Sequence, residues 1–295
     1  MKKFIISIFI SIAVVLSIVP YSTESAEKSY YTYTIIDNKA TITGFSGEPV
    51  FIDIPDIIDG CRVAEIRDNA FYECSTLKNI TIPATVEKIG HHAFYACSAL
   101  ESIVIPDSVT EIGMGCFCGN SSLASASISE NITKLPESCF RNCTSLKNII
   151  IPHNVTDIGD FCFSGCTALS AVSLSDNTEN LGDCSFYMCS AMKGIYIPPS
   201  VNEIGLCAVG FIPTSDGTAK IDDFTILGRK KSTAENYADE NSLTFENASN
   251  SVHAFAIQRI SGQRINIPSV ILIVGAVLIV ILIIFAERRK FSRKK

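Results

Sequence analysis

The sequence predicts an α/β-type solenoid, in which repeated units of short parallel strands and short helical turns stack between two caps. Three observations support this prediction. A 23-residue period runs without a gap through six units in residues 63–200. Four apolar columns recur at fixed positions of the unit, and a short alternating segment recurs beside them. Such units cannot fold alone and bury their apolar columns against their neighbours.

The column at position 9 of the unit shows the regularity most clearly, because it holds a phenylalanine every time. Its members are Phe71, Phe94, Phe117, Phe140, Phe163 and Phe186. Within a unit, Ile80–Pro83 alternates with period two and predicts a short strand ended by proline. Val86–Gly90 predicts a second extended segment. The helix-compatible spacing of Ala93, Phe94 and Leu100 predicts a short helical turn.

Atypical segments flank the repeats, as the caps of a solenoid do. Residues 27–62 predict an N-terminal cap with short strands, and residues 201–247 a partial repeat with a C-terminal cap. In the latter, Ser232–Glu235 forms a capping box that predicts a helix ending near Asn241.

The chain ends predict export and a membrane span. Lys2 and Lys3, an apolar run and Pro20 are typical of a signal peptide over residues 1–26; an uncleaved anchor is the alternative. Residues 267–286 are long and apolar enough for a transmembrane helix, after a juxtamembrane spacer at residues 248–266. The basic tail at residues 287–295 then lies in the cytoplasm. We expect a single-pass plasma-membrane protein with its N-terminal ectodomain outside.

Composition excludes two classes of protein. The chain has 24 Lys and Arg against 30 Asp and Glu, a net charge of −6. It therefore has no electrostatic basis for binding nucleic acid. With 47% hydrophobic and only 18% charged residues, it is too apolar to be disordered.

The 12 cysteines follow the repeat. Most fall at positions 8 and 12, which predicts columns of small apolar thiols in the core. Neighbouring side chains in such a column point in parallel, which suits a disulfide poorly. Cys61, Cys118, Cys184 and Cys207 are the better disulfide candidates. The thiol columns do not converge on one point, so we expect no metal site.

Nothing in the sequence indicates catalysis or a cofactor. The four histidines lack a recognisable nucleophile and orienting acid, and no glycine-rich phosphate loop occurs. We therefore expect a protein that is not an enzyme.

The outward positions of the predicted strands are the candidate ligand face. They are small, weakly charged and poor in aromatic residues, with Tyr196 as the one aromatic platform that a glycan could use. The candidate residues are Asn79, Thr81, Ser102, Val104, Asn148, Ile150, Ser173 and Tyr196.

Three motifs recur through the units: Val86–Gly90 as Val-x-x-Ile-Gly, Ala93–Cys97 as Ala-Phe-x-x-Cys, and Leu100–Pro106 as Leu-x-x-Ile-x-Ile-Pro. They resemble the BspA-like family of bacterial cell-surface leucine-rich repeats over residues 30–247. The third unit departs from the pattern at Asn120 and Ala126. The resemblance implies a curved leucine-rich-repeat stack on a cell surface.

We therefore expect a membrane-anchored surface protein that mediates adhesion or protein–protein recognition through many weak contacts. Its partner would be an extracellular protein or another cell-surface ligand. Two alternatives stay open: a module that binds polysaccharide or envelope glycan, and an architectural spacer without a ligand.

Overall fold

The computed structural model describes residues 30–248, which form a stack of coils around one continuous core. The strands of the first half are β1 (Tyr31–Ile36), β2 (Lys39–Phe45), β3 (Phe51–Asp53), β4 (Ile57–Ile58), β5 (Cys61–Ile66), β6 (Asn79–Thr81), β7 (Lys88–Ile89), β8 (Ser102–Val104), β9 (Glu111–Ile112), β10 (Ser125–Ser127) and β11 (Lys134–Leu135). Those of the second half are β12 (Asn148–Ile150), β13 (Asp157–Ile158), β14 (Ala171–Ser173), β15 (Asn180–Leu181), β16 (Gly194–Tyr196), β17 (Glu203–Ile204), β18 (Phe211–Thr214), β19 (Gly217–Lys220), β20 (Thr225–Gly228) and β21 (Thr244–Asn247). One helix, α1 (Thr233–Glu240), lies between β20 and β21.

The stack begins with the antiparallel hairpin β1–β2. Its turn residues Asp37 and Asn38 have φ of 49° and 60°, the left-handed pair that a type I′ turn requires. Strand β2 then pairs in parallel with β5, and the ladder continues through β7 to β9.

The two-residue strands stack closely because glycine follows them in most units. Gly182, for example, donates its backbone N–H to the Ile158 carbonyl at 2.8 Å. A Cβ at Gly182 would lie 2.5 Å from the Asp160 carboxylate. The recurring glycine therefore provides the close approach of adjacent coils.

The ladder of two-residue strands is interrupted between β9 and β11. Strands β11, β13, β15 and β17 form a separate parallel sheet. Pro136 occupies the glycine position at this junction. Proline has no N–H to donate and its ring needs space, so the bond made by each neighbouring glycine cannot form.

A second set of strands lines another side of the stack, and we call it the strand face: β3, β6, β8, β10, β12, β14 and β16. Parallel pairing is assigned between β3 and β6, β8 and β10, and β12 and β14. The middle residue of each three-residue strand points into the core, and the two flanking residues point outward.

The predicted short helical turns were wrong, and the fold class is corrected to a β-solenoid. The part of the chain between residues 30 and 248 contains one helix of 8 residues, α1. In each coil, the segment after the glycine position contains turns with left-handed residues such as Asn69 and Glu73. The backbone N–H of Phe71 donates to Ala93 of the next coil at 2.7 Å. Alternate amides of this segment bond to the next coil in this way, whereas an α-helix needs consecutive amides to bond within one segment.

The phenylalanine column forms the centre of the core. Its six rings are fully buried and stack face to face with centroids 5.1–5.4 Å apart. Aromatic pairs of this kind add about 0.5–1.5 kcal/mol each beyond burial. The column therefore holds each coil to the next.

The C-terminal cap contains the predicted helix close to its expected place. α1 begins after Ser232, whose side chain makes no capping hydrogen bond. Glu235 instead accepts a hydrogen bond from the backbone N–H of Lys231 at 2.5 Å. The inner face of the helix, with Ala234, Tyr237 and Ala238, is buried and closes the end of the stack.

The predicted membrane span and single-pass localisation are also corrected. Within residues 30–248, no helix has the length and apolar character needed to cross a bilayer. The transmembrane helix predicted at 267–286, the signal peptide at 1–26 and the tail at 287–295 lie outside the described residues. So does the spacer beyond residue 248.

Candidate functional site

The strand face brings seven of the eight candidate residues to the surface in two parallel columns. Asn79, Ser102 and Asn148 lie at the first outward position of their strands, and Thr81, Val104, Ile150 and Ser173 lie at the second. Because the strands are parallel and in register, equivalent side chains recur about 4.8 Å apart along the stack.

Two apolar side chains project from the second column. Val104 is 65% exposed and Ile150 is 73% exposed. Their registered neighbours on the paired strands are Ser127 and Ser173. Each apolar side chain therefore stands above a small polar neighbour, which leaves it accessible to a partner.

A third apolar side chain on this face, Phe51, was missed by the sequence analysis. It is 64% exposed and pairs in register with Asn79, so it extends the first column by one strand. The signal was present, because Phe51–Pro55 repeats the strand motif of the units. It was treated as part of the cap.

Six of the seven strands of the strand face carry no charge, namely β6, β8, β10, β12, β14 and β16. Its polar groups are hydroxyls and amides, such as the Ser102 hydroxyl that donates to the Asn79 amide oxygen at 3.2 Å. Asp53 on β3 is a charged neighbour, in register with Thr81, and Lys78 and Glu101 pair at 3.5 Å on the border of the face. A neutral stripe with isolated apolar side chains suits an uncharged or extended protein segment and is poorly suited to an anion.

Tyr196 does not reach the surface. It is 5% exposed and packs with Leu227 and Ala248, because β20 pairs with β16 and places Leu227 beside it. The aromatic platform expected for a glycan is therefore covered by the C-terminal cap.

The side of the stack formed by the two-residue strands carries the charges. Lys88 and Glu111 pair at 3.0 Å, and Lys134 and Asp157 at 3.6 Å. The hydrogen bond from Lys88 to Glu111, with the negative charge of that carboxylate, raises the Lys88 pKa. These exposed pairs contribute little to stability, and they fit a solvated surface between coils.

All twelve cysteines are free thiols in the described structure, and ten of them are buried. Four at position 12 donate to the carbonyl of a phenylalanine in the preceding coil, as Cys97 does to Phe71 at 3.1 Å. Burial raises the pKa of the Cys166 thiol to about 12. Such thiols are poor nucleophiles and serve as core side chains.

Two histidines of the described residues make side-chain hydrogen bonds at the surface. His91 accepts the backbone N–H of Met114 through Nδ1 at 3.0 Å, and His153 contacts the Asn177 amide. No cluster of three or more His, Cys, Asp or Glu side chains between residues 30 and 248 is placed to hold a metal ion.

Asn120 replaces cysteine in the third unit, and the repeat pattern alone gives this residue no role. Its side chain is fully buried, and neither its amide oxygen nor its amide nitrogen has a hydrogen-bond partner. A neighbouring thiol at this position bonds to a carbonyl, so the substitution leaves a defect in the core.

The repeat, the parallel ladders and the exposed strand face define a leucine-rich-repeat solenoid. The family profile for the BspA type leucine rich repeat region matches residues 64–193 and 156–276, with six copies. The chain belongs to this family, which confirms the predicted resemblance. The family and the structures below are described as repeat proteins, with no catalytic activity named.

Solved structures of bacterial proteins share the fold. A leucine-rich-repeat protein from T. pallidum is 29% identical, with a TM-score of 0.53, over 62% of this chain and 82% of that one. A leucine-rich cell-surface protein from Faecalibacterium prausnitzii is 23% identical, with a TM-score of 0.56, over 77% and 73%. A leucine-rich-repeat protein from Eubacterium ventriosum is 23% identical, with a TM-score of 0.52, over 66% and 56%. The search of curated proteins returned no significant match.

Proposed function

We propose that the protein mediates adhesion or protein–protein recognition at a cell surface, and that its strand face is the binding surface. The observation that carries the proposal is the neutral stripe on which Val104 and Ile150 are exposed, with Phe51 exposed on the adjoining strand β3. Exposed apolar side chains surrounded by small polar groups are typical anchors of protein interfaces. Membership of the BspA type family supports the same function.

The partner is an extracellular protein or cell-surface ligand that presents an uncharged, extended surface. Many weak contacts along a rigid repeat give a useful affinity when several copies act together. A glycan ligand has less support, because the aromatic ring expected to stack on it, Tyr196, is buried.

The test is binding of the full chain to an array of matrix glycoproteins and glycans at physiological salt. Ile150→Asp puts a charge at the centre of the stripe and should weaken a protein hit by about tenfold or more, as loss of an interface anchor does. Leu206→Asp is the matched control, since Leu206 is 77% exposed but lies outside the strand face. Equal loss in both variants, or a response to glycans alone, would contradict the proposal.

A further inference from the structure

The first strand of the stack has an edge with which no other strand of the described residues pairs. β1 bonds to β2 on one side, and no strand between residues 30 and 248 pairs with its other side. An open edge presents a row of backbone donors and acceptors that can pair with another chain.

Two usual protections of an edge strand, charge and proline, are missing from β1. Its one register shift against β2 lies between Thr32 and Tyr33, at the end of the regular stretch Tyr33–Ile36. Its sequence, YTYTII, contains no charge and no proline, the two devices that most often block edge pairing. Ile35 is 41% exposed and Ile36 is 68% exposed. The outer face of a solenoid cap is normally polar. The exposed isoleucines of β1 therefore leave this end of the stack open to association.

The register of the hairpin determines which backbone groups face outward. Ile36 pairs with Lys39 across a two-residue turn, and such a closing pair exchanges both hydrogen bonds. The pattern alternates along an antiparallel pair. Ile36 and Thr34 therefore direct their N–H and C=O groups to β2, and Ile35 and Tyr33 direct theirs away from it.

We propose that the protein forms a two-fold symmetric dimer through antiparallel pairing of β1 with β1 of a second copy. The outward groups of Tyr33 can then bond to those of Ile35 in the second copy, and those of Ile35 to Tyr33, with Thr34 opposite Thr34 at the axis. The two-fold axis repeats each contact between Tyr33 and Ile35, so that the same contact forms twice. Two-fold dimers are the commonest oligomers of identical chains.

The side chains that this register places opposite each other are favourable partners. It sets the aromatic Tyr33 against the β-branched Ile35 and threonine against threonine, both of which stabilise antiparallel sheets. No like charges meet, because the strand has none. The Tyr33 hydroxyl is held by the Asp59 carboxylate at 2.6 Å, which orients the ring before the second copy binds. Self-complementarity in register is the reason to assign the edge to a second copy.

The test uses two variants at one position. Ile35→Pro removes the outward N–H of residue 35. The N–H and C=O groups of Thr34 and Ile36, which bond to β2, are kept, since proline is tolerated where the N–H faces away from the sheet. Ile35→Thr keeps the N–H and the β-branch and changes only polarity. Residues 270–286 are apolar and uncharged, so a non-ionic detergent is used to limit non-specific association through them. The full chain is then studied by sedimentation velocity across a concentration series.

We expect a dimer for the wild type and for Ile35→Thr, and dissociation at least about tenfold easier for Ile35→Pro. A monomeric wild type, or equal dissociation of the two variants, would overturn the proposal. If Ile35→Pro does not fold, hydrogen exchange of the backbone amides of wild-type residues 31–36 tests the proposal instead. Its protection must rise with protein concentration, and unchanged protection refutes edge pairing.

Discussion

Replacing Asn120 by cysteine should stabilise the protein, because the native residue leaves two buried polar atoms without partners. The side chain is fully buried, and its oxygen and nitrogen both lack a hydrogen bond. The column around it shows what the site accepts. Cys143 donates to the Phe117 carbonyl at 3.2 Å, and the equivalent acceptor for residue 120 is the Phe94 carbonyl.

The size of the effect follows from the cost of unpaired groups. A buried polar group without a partner costs about 1–3 kcal/mol. Cysteine is slightly smaller than asparagine, so a little packing is lost in exchange. We expect Asn120→Cys to raise the free energy of unfolding by about 2 kcal/mol, which corresponds to about 4–8 °C in Tm for a chain of this size.

The assay is urea and thermal unfolding of the wild type and two variants under reducing conditions. The second variant, Cys143→Asn, moves the same amide to the next coil and removes the thiol–carbonyl bond. It should destabilise by about 2–4 kcal/mol. If Asn120→Cys were neutral or destabilising, the native amide would have to be satisfied in solution, and the assignment of a core defect would be wrong.

Three further predictions concern the core, the glycine position and pH. Phe140→Ala removes a ring stacked on both Phe117 and Phe163 and should cost about 3–5 kcal/mol in urea unfolding, whereas the exposed Val104→Ala should change stability by less than about 0.5 kcal/mol. Gly182→Ala places a Cβ 2.5 Å from the Asp160 carboxylate and should destabilise by about 1–3 kcal/mol, seen as faster hydrogen exchange of the Gly182 amide. The pKa of Cys166 is about 12 in the folded protein, against a reference of 9.0. The unfolded chain therefore loses this proton first. The contribution of this thiol to stability is constant below about pH 9 and falls as the pH rises towards about 12, by up to about 1.4 kcal/mol per pH unit. Cys166→Ala should make the fall in the urea midpoint between pH 9 and 11 less steep, and an unchanged slope would exclude this thiol as its cause.

The core could be predicted from the sequence because each core position repeats. The phenylalanine column, the thiol columns and the strand motif recur every 23 residues, so a single alignment of the units shows which side chains stack. The fold family followed from the same motifs. Regular spacing does not show which groups the backbone N–H donors bond to, however. Ala93, Phe94 and Leu100 have helix-like spacing, yet their segment bonds laterally to the next coil.

The candidate site was only partly predictable for a related reason. Val104 and Ile150 are exposed because their strands pair in register with equivalent strands of the next unit, which leaves the outward face uncovered, as the repeat implies. Tyr196 occupies the same position of the unit, but the irregular cap covers it. Phe51 is exposed on a strand that lies before the first full unit. Burial at the ends of a solenoid depends on segments that have no period, and the period cannot predict them.

Pro136 creates a weak junction at the middle of the stack, between the third and fourth units. Pro136 removes one bond between the coils, and the ladder of two-residue strands stops there. The core bond across this junction is intact, since the Cys143 thiol donates to the Phe117 carbonyl at 3.2 Å. The bond that Asn120 lacks would join the second and third units. The turn side of the stack, formed by the turn segments after the glycine position, remains joined across the junction. The backbone N–H of Gly115 donates to the Glu137 carbonyl at 2.9 Å, and that of Phe117 to the Cys139 carbonyl at 2.8 Å.

The stability of a repeat protein is approximately the sum of its units and the interfaces between them. The interface that has lost bonds on one side should therefore open before its neighbours, with the turn side acting as the connection. Pro136→Gly restores the residue that the neighbouring coils have at this position. If the junction limits cooperativity, the variant should unfold in a sharper transition, with a higher urea m-value. An unchanged m-value would mean that the stacked phenylalanines, which continue across the junction, already couple the two halves.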